Sequence, residues 1–263
     1  LTLNGANITE SSDLDTEAVI VSTIEHITMN LVGENKIGMG EKAPVNGISA
    51  FDLMIQGEGS LAVGARASCI KADTLTVDSG KIDTYVKTAE DEIASFIGVG
   101  LWAQELLTIN SGDIKVHYAP EFTALSYGLY CVKDLTINGG SIEIKQEEAA
   151  ALGVGIISSE KLTVAGGSIN VYGNDDAMNA KYFAMTGGTV NASDIGNGAN
   201  LDTSCIVSIK DGASVSIVFA VDKGSEYKHF LRQTPLEAAT YEGPACEFPD
   251  GEININILPS TDY

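Results

Sequence analysis

The chain has 263 residues, with 36 acidic side chains against 15 basic ones, a formal net charge of -21 and 28 glycines. Hydrophobic residues make up 44 % and charged residues 19 %, which supplies material for a sizeable core and excludes a disordered acidic tail. A surface this negative, with no Lys/Arg cluster, argues against nucleic acid and anionic membrane surfaces as partners; it favours divalent cations and a soluble monomer.

No apolar run approaches the roughly 20 residues that cross a bilayer, and none has the layout of a signal peptide. The first residue is Leu1 rather than Met, so removal of a leader is expected. Cys69, Cys131, Cys205 and Cys246 lie far apart without CxxC or zinc-like spacing. Buried free thiols are expected, with one bridge near the C-terminus left open.

Taken in chain order, one pattern recurs. It opens in degenerate form as LTLNGANI from Leu1 and ITMNLVGENKI from Ile27, then as LMIQGEGSL from Leu53. Five close copies follow: LTVDSGKI from Leu75, LTINSGDI from Leu107, LTINGGSI from Leu135, LTVAGGSI from Leu162 and FAMTGGTV from Phe183. A looser VSIKDGASV begins at Val207. Each copy has an upstream half, such as GLWAQELL at Gly100, GLYCVKDL at Gly128 and AMNAKYF at Ala177. NLDTSCI at Asn200 aligns as the upstream half of the last copy.

Both halves alternate apolar and polar residues, the period of a strand with one buried face. The Ser/Gly-Gly pair in the middle of each copy, between two short strands, suits a sharp corner whose φ values β-branched residues cannot adopt. A unit of 21 to 32 residues built this way cannot bury its apolar face alone and must stack on its neighbours. The leucine-rich-repeat signature is missing, and propeller blades need roughly 40 residues or more. The fold expected is therefore all-β: a parallel β-helix of about eight or nine coils, each adding about 4.8 Å of rise. It spans residues 1–217, and residues 218–263, where the pattern lapses and four of the six prolines fall, form a C-terminal cap of the same domain.

Stacking converts the alignment into interior columns: Leu75, Leu107, Leu135, Leu162 and Phe183; Val77, Ile109, Ile137, Val164 and Met185; Ile82, Ile114, Ile142, Ile169 and Val190. Asp78, Asn110 and Asn138 are expected to form a polar ladder at the corner that satisfies backbone groups.

Three outward features bear on function. The upstream strand places Trp102, the one tryptophan, beside Tyr130 on the next coil, a surface on which the C–H face of a sugar stacks; the alternative is that loops around 88–98 and 119–126 cover the rings. In the second feature, GNDDAMNAK at Gly173 is followed one coil later by SDIGNGANLDT. With Met178 and Leu201 both inward, Asn179 stacks on Asp202 near Asp175 and Asp176, an oxygen-rich set suited to Ca²⁺; solvated Asn/Asp/Gly corners are the alternative. The third, the column Tyr85, His117, Lys145, Tyr172, reads as an exposed strand face, from which Tyr172 joins Trp102 and Tyr130 as a candidate ligand contact. Catalysis is harder to seat. A polysaccharide lyase needs a base, for which only Lys181 is placed near the acids, and no pair of carboxylates stands out for glycoside hydrolysis.

The repeated LTINGGSI and LTVAGGSI strands, the opening LTLNGANI, ITMNLVGENKI and the NDDAMNA motif together resemble bacterial secreted and surface proteins of the pectin-lyase-like right-handed β-helix superfamily. Closest in kind are carbohydrate-binding β-helix proteins of gut and cellulolytic Firmicutes and Bacteroidetes, themselves similar to calcium-dependent pectate lyases. The resemblance covers about 1–217. It implies a right-handed helix and maps calcium ligands onto Asp175, Asp176 and Asn179. This chain departs where the relatives' next-coil Gly-Asp-Gly-Ile-Asp is reduced to Gly198-Ala199-Asn200-Leu201-Asp202. The expectation is thus a non-catalytic, extracellular or cell-surface protein that binds a polysaccharide or surface glycan with calcium at Asp175, Asp176, Asn179 and Asp202. The alternatives are a calcium-dependent polysaccharide lyase using Lys181 and a structural adhesin or stalk without a small ligand.

Overall fold

Period-two alternation makes each repeat into strands, and the glycine pairs decide where the chain turns. The computed structural model describes residues 1–9, 18–40, 43–87, 97–119, 125–145, 152–172, 176–192, 195–196, 206–209, 214–219 and 254–259. Over these the chain is all-β and passes back and forth between two wholly parallel sheets, one of 12 strands and one of 10. The topology is that of a parallel β-solenoid. Among the described residues no helix is long and apolar enough to cross a membrane.

Sheet one is built from the upstream half and the Leu-Thr-Ile half of each repeat, as in Ser68–Val77, Gly98–Ile109, Leu152–Val164 and Asp176–Met185. A register irregularity separates the halves between Ala103 and Leu106 and between Ser158 and Lys161. One coil divides completely, into Leu125–Cys131 and Asp134–Ile137. Sheet two carries the segment after the glycine corner: Ser60–Ala65, Lys81–Val86, Asp113–Tyr118, Ser141–Lys145, Ser168–Tyr172 and Thr189–Ala192 lie side by side in that order. It continues through Ser214–Phe219 to Asn254–Pro259, whose strand pairs parallel to it. Apart from 218–219 and that last strand, the segment expected to form the cap lies outside the described residues.

The columns form in the expected register. Leu75 pairs with Leu107, Leu107 with Leu135, Leu135 with Leu162 and Leu162 with Phe183. Leu53 and Ile27 extend the column toward the N-terminus, and Val207 lies beyond Phe183. The second column gains Ile55 and Met29 in the same way, and the third runs through Leu61 to Asn35. Asn35 is buried among them but satisfied: its Oδ1 accepts from Ala6 N at 2.9 Å, and its Nδ2 donates to Val32 O at 3.2 Å and Ser60 O at 3.1 Å.

Where the two sheets close on each other, only small residues fit on sheet one. Gly47, Cys69, Gly100, Gly128, Gly155 and Ala177 fill one level of successive coils. A Cβ on Gly100 would lie 2.9 Å from Val116 Cγ1, and one on Gly128 2.7 Å from Ile144 Cγ2. Cys69 belongs to this column, which explains its complete burial; Cys131 is also buried, and both are free thiols. Cys205 and Cys246 lie outside the described residues.

At the other corner Gly80, Gly112, Gly140, Gly167 and Gly188 all have positive φ, from 84° to 107°. Their carbonyls stack as a ladder: Asp113 N donates to Gly80 O at 2.9 Å, Ser141 N to Gly112 O at 2.8 Å and Ser168 N to Gly140 O at 2.9 Å. The polar ladder before that corner is present as well. Asn110 Nδ2 donates to Asp78 Oδ1 at 3.2 Å, and Asn138 Nδ2 donates to Asn110 Oδ1 at 2.8 Å. These bonds join side chain to side chain along the exposed surface rather than serving the backbone.

Candidate functional site

Burial of Leu101 and Ala103 turns Trp102 outward, and the same alternation turns Tyr130 outward between Leu129 and Cys131. Register then sets Lys71, Trp102 and Tyr130 on three consecutive coils. The Trp102 and Tyr130 rings lie 6.4 Å apart, tilted by 60°. Lys71 Nζ sits 4.9 Å from the centre of the Trp102 ring, a cation–π contact. Tyr127 extends the group, with its ring 5.2 Å from that of Tyr130. The aromatic residues are half-buried, leaving part of each ring to solvent. Trp102 and Tyr130 lie side by side as expected; the segments 88–96 and 120–124, expected as possible covers for the rings, lie outside the described residues.

Tyr127 was not anticipated. It faces outward because Gly128 and Leu129 are both buried, which interrupts strict alternation within SYGLY. That paired burial follows from the sheet-to-sheet contact at Gly128, and two tyrosines flanking Gly-Leu were the available signal.

Tyr172 does not join this group. It lies on sheet two, in register with Lys145, and is described by its backbone. Also on sheet two, Tyr85 and His117 stack with centroids 4.6 Å apart and planes 13° from parallel. His117 Nε2 lies 3.3 Å from Asp83 Oδ1, and Lys115 Nζ lies 3.4 Å from Glu143. Burial, reinforced by the Asp83 charge, raises the Tyr85 hydroxyl above its ordinary value. Among the described residues, these side chains form a self-paired polar strip with the Tyr85 and His117 rings turned toward each other.

The acidic set is only partly within the described residues: Asp175 and Asp202 fall outside them, and Asp176 is described by its backbone. Asp176 and Asn179 share the strand Asp176–Met185, opposite Val154 and Ile157 of the preceding coil. On the following coil the partner of Asn179 is Gly196, not Asp202. The strand Ile195–Gly196 pairs with Met178 and Asn179, and Ile206–Ile209 takes up the pairing again from Tyr182. Repeat alignment expects NLDTSCI in the place that Ile195–Gly196 takes opposite Asn179; residues 197–205, between these two strands in sequence, lie outside the described residues. Asn179 is only 6 % exposed and is already engaged by the protein. Among the described residues no group of three or more His, Cys, Asp or Glu side chains is placed to hold a metal ion. Lys181 sits on the same strand between Ala180 and Tyr182, where the register shifts against the preceding coil.

The aromatic group on sheet one is thus the place where described side chains converge outward. A family model described as "Carbohydrate-binding domain-containing protein" matches residues 103–198. No curated protein and no solved structure matches the chain. The matched stretch starts one residue after Trp102 and holds Tyr127, Tyr130, Tyr172 and the Asp175–Asn179 segment. Within it, Tyr127 and Tyr130 are the tyrosines whose described side chains form an outward pair.

Proposed function

We propose that the protein binds a polysaccharide or surface glycan on the outer face of sheet one, through Trp102, Tyr130 and Tyr127, without catalysing a reaction on it. The observation that carries the reading is the Trp102–Tyr130 pair on consecutive coils, beside the start of the carbohydrate-binding family match. Rings fixed on a ladder of backbone bonds lose little freedom on binding, and their faces suit the C–H surface of a pyranose. Lys71, held over Trp102, adds a donor for a sugar hydroxyl at the platform's edge. The proposal places the protein outside the cell or at its surface, on a right-handed, pectin-lyase-like helix of about eight or nine coils closed by residues 218–263.

Calcium is a separable part of the proposal. It rests on Asp175 and Asp176, whose hard oxygen ligands suit the ion, with Asn179 and Asp202 as the further expected ligands. Burial of Asn179 and the Gly196 partner opposite it do not favour Asn179 as a side-chain ligand. Titration with Ca²⁺ alone tests this part: Asp176→Ala should abolish the binding heat, and no heat with the unaltered protein removes calcium from the account.

The glycan reading is tested by affinity electrophoresis and calorimetry across a panel of plant and host polysaccharides. Trp102→Ala should weaken retention at least tenfold on the glycan that retains the unaltered protein, with the strand circular dichroism preserved. Equal retention of both proteins would place binding elsewhere.

A further inference from the structure

A second outward surface of sheet one has a regularity that the aromatic group lacks. Thr76, Thr108, Thr136 and Thr163 are direct neighbours on four consecutive coils, each half-buried between two buried apolar residues of its own strand. Burial of those flanking residues turns every one of the four side chains outward. Beside this column runs the amide ladder of Asp78, Asn110 and Asn138, locked by its two side-chain hydrogen bonds. The column is bounded by Met54 on one side and Ala184 on the other. Pairing of successive coils sets about 4.8 Å between hydroxyls along the solenoid axis, and strand rise sets about 6.6 Å between the two columns.

We infer that this hydroxyl–amide ribbon docks on an ordered, repeating face of an insoluble hydroxylated polysaccharide, with the polymer chains running along the solenoid axis. The inference rests on the glycan reading above and deepens it from a single chain to an ordered solid. Neither column contains a cation, and Asp78 contributes the one charge among their seven members, so the ribbon suits a neutral array of hydroxyls rather than a polyanion. β-Branched threonines are stiff at χ1, and the amides are held by one another. A preorganised array of fixed period gains most from a partner that is itself periodic and rigid, because neither side loses much freedom on contact. The aromatic group lies on the same sheet, upstream of the threonines within each coil: Trp102 on the strand of Thr108, and Tyr127 and Tyr130 on the strand before that of Thr136. A solid can meet both surfaces at once. Three of the four threonines fall within residues 103–198.

The test compares crystalline and swollen amorphous forms of cellulose, chitin and mannan, together with their soluble oligosaccharides, using the full chain. The variants are Thr108→Val/Thr136→Val/Thr163→Val, which keeps the branched shape while removing the hydroxyls, and Trp102→Ala. We expect the unaltered protein to prefer a crystalline form over its amorphous counterpart, and the triple valine variant to lose at least tenfold on the crystal while keeping its affinity for the soluble oligosaccharide. Binding that is equal on crystalline and amorphous forms, or that the valine variant retains in full, overturns the ribbon and leaves the aromatic platform standing. No retention on any solid or soluble member of the panel overturns both. Unchanged urea midpoints confirm that the valine variant is folded; if it unfolds, Thr136→Ser/Thr163→Ser, which keeps the hydroxyls, must retain crystal binding, and its loss counts against the inference.

Discussion

The glycine corner makes a quantitative prediction that separates conformation from space. Gly140 has φ +89°, and a Cβ there would lie 2.6 Å from Gly112 O. That oxygen accepts the hydrogen bond from Ser141 N at 2.8 Å which holds one coil to the next. Gly140→Ala therefore meets two costs: about 1–2 kcal/mol for the left-handed conformation, and about 1 kcal/mol as the coil-to-coil bond is displaced. The reduced freedom of the unfolded alanine chain offsets roughly 0.4–1 kcal/mol. A net loss of about 2 kcal/mol should lower the urea midpoint by roughly 1 M at the usual slopes. Two controls isolate the contributions. Gly5→Ala has φ +64° with nothing within 4 Å, so it carries the conformational cost alone and should lose only about 1 kcal/mol after the offset. Gly155→Ala has no positive φ, but its Cβ would meet Val171 Cγ1 and the Ala177 carbonyl, so its cost is one of space between the sheets. Circular dichroism in urea measures all three. Equal midpoints for Gly140→Ala and Gly5→Ala would refute the claim that close stacking of the coils, rather than φ alone, requires glycine at this corner.

Other outcomes follow from the same structure. Burial pushes the Cys69 thiol up from 9.0 to about 12, so iodoacetamide at pH 8 should leave Cys69 unmodified in the native protein and label it once urea unfolds the chain. Because the folded state holds this proton more tightly than the unfolded state, the contribution to stability is fully present below about pH 9 and declines as pH rises toward 12. Cys69→Ala should flatten the pH dependence of the urea midpoint within that window. Asn110→Ala breaks both bonds of the exposed amide ladder and should cost no more than about 1 kcal/mol, read as a small midpoint shift. Lys71→Ala leaves the aromatic pair in place and should weaken glycan retention less than Trp102→Ala does.

The fold was legible because its physics is periodic. Leu75, Leu107 and Leu135 recur with the same neighbours, and glycine at the following corner marks where backbone carbonyls of successive coils meet. Three things were harder to read. The small column from Gly47 to Ala177 is dispersed among upstream halves, and its meaning depends on Val116, Ile144 and Val171 approaching from the other sheet. Repeat alignment sets Asn179 opposite Asp202 because a variable spacing between strand patterns leaves the patterns themselves unchanged; the backbone pairing of Asn179 with Gly196 decides the partner. Threonines 76, 108, 136 and 163 recur in four of the five close copies of the motif, yet outward threonine is also what a strand prefers for its own sake. Their shared direction became informative only with the register. Trp102 and Tyr130 were predictable because alternation fixes direction and repeat spacing fixes neighbours; Tyr127 was not, since the consecutive burial of Gly128 and Leu129 breaks the alternation.

The most direct measurement is the difference in retention between the unaltered protein and Trp102→Ala on the polysaccharide that the panel identifies, read in affinity gels at matched protein concentration. Glycan recognition on sheet one predicts at least a tenfold loss with the solenoid's strand signal intact. Undiminished retention by the folded variant, or no retention of the unaltered protein on any polysaccharide, would contradict it.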